Sequence, residues 1–534
     1  MVVAADPLAV AAGLQVLRDG GSAADAVVAV QMVLALVEPQ ASGLGGGALA
    51  VSFVKRTGQV LAWDGRETAP AAAGPDLFLN RDGTPMARRD AALGGRAVGV
   101  PGAVRMLEAL HRAQGRLAWA RLIEPAIRLA EDGFAISPGL AAAIAADAGQ
   151  LRRQPAARAY FFGPDGSPLP AGALLVNHAL GETLRAIAAD GADALLRAAV
   201  ASDIATAVRT DPSPGLMTTD DLAAITAPSA PALCGRYRAM TVCGAGPPSA
   251  GGVAVLQILG LLGHFDLGGM APGDVDVDQL LLESEKLAYA DRDMYLADAD
   301  FGPVPVRGLL DPAYLTGRAR LIDLEHANLA PTAGKPDRGD ARLAPEPAQP
   351  EHGTSEIAVV DDFGNAISVT SSVGDPFGAR LLVRGFLLND ALADFAFAPD
   401  ASGRPVANRV EGGKRPRSAM SPTLVFGPHG GLRIVTGSSG GGRIIGFVAQ
   451  MLVAMIDFEL PPAQAVAAGH VQPMGVVAEL EAGTPAAALA EKLRARGQVV
   501  SVQAIESGQQ AIMVTPAGLL GGTDPRHEGI ASSD

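Results

Sequence analysis

The chain has little of several things that would have fixed its class. Two cysteines in 534 residues, Cys234 and Cys243, exclude a disulfide-rich scaffold. Their spacing permits one bridge across a hairpin, but two buried free thiols are the expectation. Eight histidines are scattered, with no H-E-x-x-H and no close His/Asp cluster, so no metal signature is present and no cofactor is implied. No apolar run reaches the roughly 18 residues that a membrane span needs. No basic run exceeds a few residues and the net charge is −14, which argues against a nucleic-acid partner and mainly implies solubility. Charged residues make up only 18 % of the chain, while alanine and 65 glycines are abundant, as in a packed core with close backbone approaches.

The most informative residue present is Thr354. Before it lie 28 residues, 326–353, with five prolines and almost no large apolar side chain, read as a disordered leader. After it comes Ser355-Glu356-Ile357-Ala358-Val359-Val360, a turn at Asp362-Phe363-Gly364-Asn365, and a returning Ala366-Ile367-Ser368-Val369-Thr370. Cleavage between Gly353 and Thr354 would free an α-amine on the residue that carries the hydroxyl, and that amine could act as its base. Taken alone, a threonine opening a strand is more often just a β-former. His352, two residues upstream, is assigned to a mobile tail.

Helical patterns cover 7–18, 23–37, 104–111, 118–132, 138–151, 177–190, 191–209, 252–262, 276–296, 444–456, 461–468 and 485–496. Asp220 and Asp221 look like a further helix start. Strand patterns cover 48–54, 59–63, 236–243, 356–361, 366–372, 380–388, 422–426 and 432–437, and 499–505 is expected to pair with 510–514. Strands flanked by helices before and after suggest sheets covered by helices.

An ordered set of motifs resembles the γ-glutamyltransferase (glutathione hydrolase) family from end to end. They are Gly43-Leu44-Gly45-Gly46-Gly47, Asp64-Gly65-Arg66-Glu67-Thr68-Ala69-Pro70, Val98-Gly99-Val100-Pro101-Gly102, Pro247-Pro248-Ser249-Ala250-Gly251-Gly252, Glu285-Lys286-Leu287-Ala288-Tyr289-Ala290-Asp291, the segment from Thr354 to Phe395, Lys414-Arg415-Pro416-Arg417-Ser418-Ala419-Met420-Ser421-Pro422-Thr423, and Thr436-Gly437-Ser438-Ser439-Gly440-Gly441-Gly442-Arg443-Ile444. The resemblance implies an α+β, four-layer αββα sandwich of the N-terminal nucleophile hydrolase type. It implies a large subunit, 1–353, ending in the Pro-rich linker 326–353, and a small subunit, 354–534, opened by the nucleophile Thr354. It implies transfer of a γ-glutamyl group to water or to an amino acid or peptide.

The same resemblance assigns Ser372 to a hydroxyl that hydrogen-bonds the nucleophile, Gly440 and Gly441 to the oxyanion hole, Arg66 and Ser418 to a substrate α-carboxylate, and Asp394 to an α-ammonium. Read without it, Ser-Ser-Gly-Gly-Gly is a flexible turn, Arg66 a surface salt bridge with Glu67, and Asp394 a turn residue. The chain departs from the family pattern at four places. Thr354-Ser355-Glu356 replaces Thr-Thr-His, Gly374 stands for an asparagine, Ala391 for a glutamine or glutamate, and Ala419 for the second serine of the carboxylate pair. Losing two of three polar contacts to the ammonium points to an alternative substrate, a glutaryl-type amide as in cephalosporin acylases. A catalytically silent binding protein on the same fold is the third reading. Exported bacterial members carry a leader ahead of the segment where this chain starts. The compartment is therefore periplasmic with a leader removed, or otherwise cytoplasmic.

Overall fold

The computed structural model describes residues 1–346 and 353–533; His352 lies outside the described residues. Two antiparallel sheets stack face to face. In the first, the strands run Ile530–Ser532, Val2–Ala4, Ser355–Val360, Ala366–Ser372, Gly47–Val54, Gln59–Gly65 and Ser229–Pro231, side by side in that order. In the second, the order is Gly518–Thr523, Gln510–Thr515, Leu432–Gly437, Thr423–Phe426, Met240–Gly244 and Leu233–Tyr237.

Period-two alternation assigns each face. From Ser355–Val360, Ala358 and Val360 enter the layer between the sheets, with Leu49, Val51 and Phe53 from one sheet and Leu424, Val435 and Ile512 from the other. Ile357 and Val359 point the other way, under the helices Pro7–Arg18 and Ala23–Val37. The second of these helices is buried along its whole length and starts at a capping box, Ser22 with Asp25. Helices Gly251–Leu262, Val275–Tyr295 and Ile444–Ile456 cover the far side of the second sheet. The result is helix, sheet, sheet, helix, the αββα order expected. Among the described residues no helix is long and apolar enough to cross a membrane.

Several local expectations change. The stretch 236–243 is not one strand but part of a hairpin, Leu233–Tyr237 with Met240–Gly244, turning through Arg238 at φ 52°. That register sets Cys234 directly opposite Cys243, with Cα atoms 4.1 Å apart, and the two form a disulfide instead of remaining free thiols. Val499–Gln503 does not pair with Gln510–Thr515; it runs parallel to Val477–Glu481, while Gln510–Thr515 is taken by Leu432–Gly437 on one side and Gly518–Thr523 on the other. The segment 380–388 keeps only the two-residue pairs Leu382–Val383 and Phe386–Leu387. The segment 485–496 is a 3-10 turn followed by a short helix, Ala490–Ala495.

The leader is also more ordered than its composition suggests. Gly334 N–H donates to Asp291, Ala344 N–H to the Pro405 carbonyl, and Glu346 N–H to the Asp293 carbonyl. The buried Glu346 carboxylate pairs with Arg417 at 2.9 Å. Residues 326–346 thus use backbone hydrogen bonds and one buried ion pair in place of apolar burial, which is why low hydrophobicity gave the wrong expectation.

Candidate active site

Thr354 sits at the head of the strand Ser355–Val360, near the centre of the first sheet, and is 5 % exposed. Its φ is 132° and that of Gly353 is 76°. A β-branched residue at positive φ is an outlier, and such a conformation costs on the order of 1–3 kcal/mol. The strand behind it supplies the restraint. Ser355 pairs with Ser371, and its hydroxyl donates to Glu38 Oε2 at 2.5 Å. Glu356 accepts from Ser368 Oγ at 2.7 Å and Thr370 Oγ1 at 2.6 Å. Burial pushes the Glu38 carboxyl up to about 8 and raises Glu356 well above the carboxylate range. Glu356 faces Gly437 of the opposite sheet, so its departure from the family's histidine falls between the sheets and outside the cleft.

One small cleft, with about 20 Å³ of free space, is lined by Thr354, Ser372, Gly374, Arg66, Asp394, Ser418, Ala419, Met420, Gly441 and Ile444. That is room for roughly one water. Of the residues singled out in the sequence, Thr354, Ser372, Gly441, Arg66, Asp394 and Ser418 meet here although up to hundreds of positions separate them. Gly440 lies one residue behind. Its φ is 128°, and a Cβ there would come 2.5 Å from the Phe447 ring. Ser372 Oγ accepts from Gly374 N–H at 2.9 Å, and Ser418 Oγ from Met420 N–H at 3.1 Å.

Gly440 and Gly441 connect the strand Leu432–Gly437 to the helix Ile444–Ile456 through the turn Gly441–Arg443. The cleft therefore abuts a helix N-terminus, where backbone N–H groups and the helix dipole favour negative charge. Tyr289 Oη donates to the Gly442 carbonyl at 3.2 Å, and Arg443 pairs with Glu479 at 2.8 Å, which fixes the turn from both sides.

At the opposite wall Arg66 is buried. It donates to Glu67 Oε2 at 2.8 Å, Asp394 Oδ2 at 2.6 Å, and the carbonyls of Pro416 and Arg417. The Glu67 bridge read from sequence exists, but in the interior and not at the surface; burial raises the Glu67 pKa. Arg66 and Asp394, expected to hold opposite charges of one ligand, hold each other. The other Asp394 oxygen faces a residue the sequence gave no reason to choose. Arg88 Nη2 lies 3.6 Å from Asp394 Oδ1 and 3.1 Å from Asp375 Oδ1, while Nη1 donates to the Ala393 carbonyl at 2.7 Å. Beside them Asp390 accepts from Asp375 N–H and fills the space next to Gly374. Burial, then the neighbouring Asp375, pushes the Asp390 carboxyl up. Ala391 is buried and adds no polar side chain.

A larger cavity of about 320 Å³ shares Arg66 with the cleft and is walled by Asp64, Asp298 and Arg415. Among the described residues no group of three or more His, Cys, Asp or Glu is placed to hold a metal ion.

A family model described as Gamma-glutamyltranspeptidase matches residues 9–533. The chain is 36 % identical to a glutathione hydrolase proenzyme of Escherichia coli K12, covering 98 % of this chain and 90 % of that protein. It is 35 % identical to an acylase ACY 1 proenzyme of Pseudomonas sp. strain SE83, over 98 % and 91 %. Among solved structures, a cephalosporin acylase from Bacillus halodurans superposes with a TM-score of 0.87 at 26 % identity, covering 99 % of this chain and 95 % of that one.

Proposed function

This chain belongs to the gamma-glutamyltranspeptidase family, whose members among its relatives are hydrolases and acylases of the N-terminal nucleophile type, and from that premise we propose a self-processing threonine hydrolase acting on γ-glutamyl or closely related dicarboxyl amides. The observation that carries this reading is the single cleft in which Thr354, Ser372 and Gly441 meet Arg66, Asp394 and Ser418.

In the first step Thr354 Oγ attacks the Gly353 carbonyl carbon. The C–N bond breaks, the nitrogen takes the hydroxyl proton, and an ester joins the two halves. Water hydrolyses the ester to a Gly353 carboxylate and a free Thr354 hydroxyl with an α-amine. The products are a large subunit, 1–353, and a small one, 354–534. The positive φ of Thr354, strained for a β-branched residue, favours the cut, because cleavage releases that constraint.

The mature site repeats this chemistry on an amide. The Thr354 amine has an ordinary pKa of about 7.7–8.0, suited to a base near neutral pH. It takes the hydroxyl proton as Oγ attacks and returns it to the leaving amine, and an acyl ester remains on Thr354. Water completes hydrolysis, or an amino acid or peptide amine completes transfer. Gly440 and Gly441 N–H groups stabilise the oxyanion; each such donor contributes roughly 3–4 kcal/mol in comparable enzymes. Ser372 supports the nucleophile, and Arg66 with Ser418 receives the carboxylate of the acyl group.

A second reading, a glutaryl-type acylase, is favoured by one observation: Asp394 is already paired with arginine. Intact-mass analysis tests the proposal. Purified protein should be two fragments cut before Thr354, Thr354→Ala one, and a γ-glutamyl or glutaryl anilide should add its acyl mass to the small fragment. A single uncut chain that gains no mass would instead be a binding protein on this fold.

A further inference from the structure

Behind the cleft lining, against Asp394, lies a cation that the sequence motifs do not announce. Arg88 comes from the short helix Arg88–Ala91, outside every motif in the chain. Its guanidinium bridges Asp375 and Asp394 and holds the Ala393 carbonyl, next to the carboxylate it faces. Asp394 therefore presents one oxygen to Arg66 and the other to Arg88. Among the described residues it is the one acid in the cleft lining, so a positively charged ligand group would have to pair there. That group would meet a carboxylate whose two oxygens already face guanidinium groups, and Arg88 would repel it. Asp375 and Asp390 lie close by, but Asp375 is already paired with Arg88 and neither acid lines the cleft. Gly374 lines the cleft without a side chain, and a Cβ there would lie 1.6 Å from Asp390 Oδ1. Ala391 is apolar.

We propose that Arg88 is a specificity-determining residue, a built-in counter-ion that takes the place of a substrate ammonium on Asp394, so that the preferred acyl group carries a terminal carboxylate and no amine. This rests on the acyl-enzyme reading above and narrows its substrate class to monoamides of unsubstituted dicarboxylic acids of about glutaryl length. Arg88 acts through Asp394 and selects the donor; the bond-breaking groups are the same for either donor.

The test is a one-pot competition between glutaryl and γ-glutamyl p-nitroanilides, read as the ratio of kcat/KM, with wild type, Arg88→Gln and Arg88→Lys. The wild type should favour the glutaryl donor. Arg88→Gln should move the ratio toward γ-glutamyl by about tenfold or more, largely through KM, and Arg88→Lys should move it less. Adding Asp394→Asn to Arg88→Gln should remove the gain. A purely structural Arg88 would lower both donors together and leave the ratio unchanged, which overturns the inference. So does a wild-type preference for γ-glutamyl, a result that needs no variant to fold. If neither donor adds mass at Thr354, the acyl-enzyme reading itself falls, and this inference with it; the absent adduct distinguishes that outcome from an unchanged ratio.

Discussion

Gly353 and Gly374 face each other so closely that a Cβ on Gly353 would lie 1.8 Å from the Gly374 carbonyl oxygen. The residue on the acyl side of the proposed cut is thus fixed as glycine twice over, by this contact and by its φ of 76°. Gly353→Ala should fold and slow or block conversion to two fragments, because the scissile carbonyl must shift relative to Thr354. Time-resolved intact mass of freshly purified protein decides it; conversion at the wild-type rate would show that this contact does not aim the bond.

Arg66→Ala should hurt stability as well as turnover. Arg66 is an ion-pair partner of the buried Glu67, whose Oε1 has no hydrogen bond among the described residues. Breaking a buried pair by removing one member costs about 3–5 kcal/mol. A clear fall in Tm is expected, and Arg66→Lys should recover part of the stability but not the turnover, since lysine lacks the planar fork. An unchanged Tm in Arg66→Ala would mean that water readily reaches Glu67.

Gly374→Asn is the obvious way to restore the side chain the family has at this position, and the structure argues that it fails. The site has φ 96° and Asp390 Oδ1 occupies the space of the new Cβ. The variant should lose stability, by about 1–3 kcal/mol for overpacking alone, and gain no preference for γ-glutamyl donors. Gly374→Asn with Asp390→Gly should tolerate the change better. Chemical denaturation of the two variants side by side measures the difference.

Several buried carboxyls are raised by burial: Glu38 to about 8, Asp278 and Glu346 to about 7. A carboxyl with a raised folded pKa binds its proton more tightly in the folded chain than in the unfolded one. Its contribution is whole below the unfolded value, about 3.9 for aspartate and about 4.3 for glutamate, and is lost as pH rises through the folded value. Stability should therefore decline between about pH 5 and pH 8. Glu38→Gln should flatten that decline by its own share, with Tm against pH as the measurement. An identical slope in wild type and variant would place Glu38 in a wetter setting.

The strand Ser355–Val360 was readable because its signals are local: period-two alternation, a turn and a returning strand. The strand-to-helix turn at 440–443 was readable because three glycines sit between an apolar strand pattern and an apolar helix pattern. Arg88 was not, since Arg88 and Arg89 are neighbours of the same type in a short loop-like segment, and only the fold makes one half-buried and the other exposed. The partner of Val499–Gln503 was also hidden. Alternation says that a segment is a strand but not which strand it meets, and here the partner lies across an intervening helix. Asp390 gave no signal in the sequence because its importance lies in a clash that exists only with Gly374 beside it.

The order of strands in the first sheet has a consequence for the life of the molecule. Val2–Ala4, from before the proposed cut, lies between Ser355–Val360 and Ile530–Ser532, both from after it. The second sheet likewise joins Met240–Gly244 to Thr423–Phe426 across the same divide. The uncut chain assembles these ladders as one polymer, at an entropic cost set by loop closure. Once severed, the same ladders join two molecules, and recovering them after denaturation becomes a concentration-dependent encounter. The proposed cut would therefore also be a one-way gate in folding: the uncut chain has a first-order route to this architecture, and a severed one, if ever unfolded, would have only a second-order one.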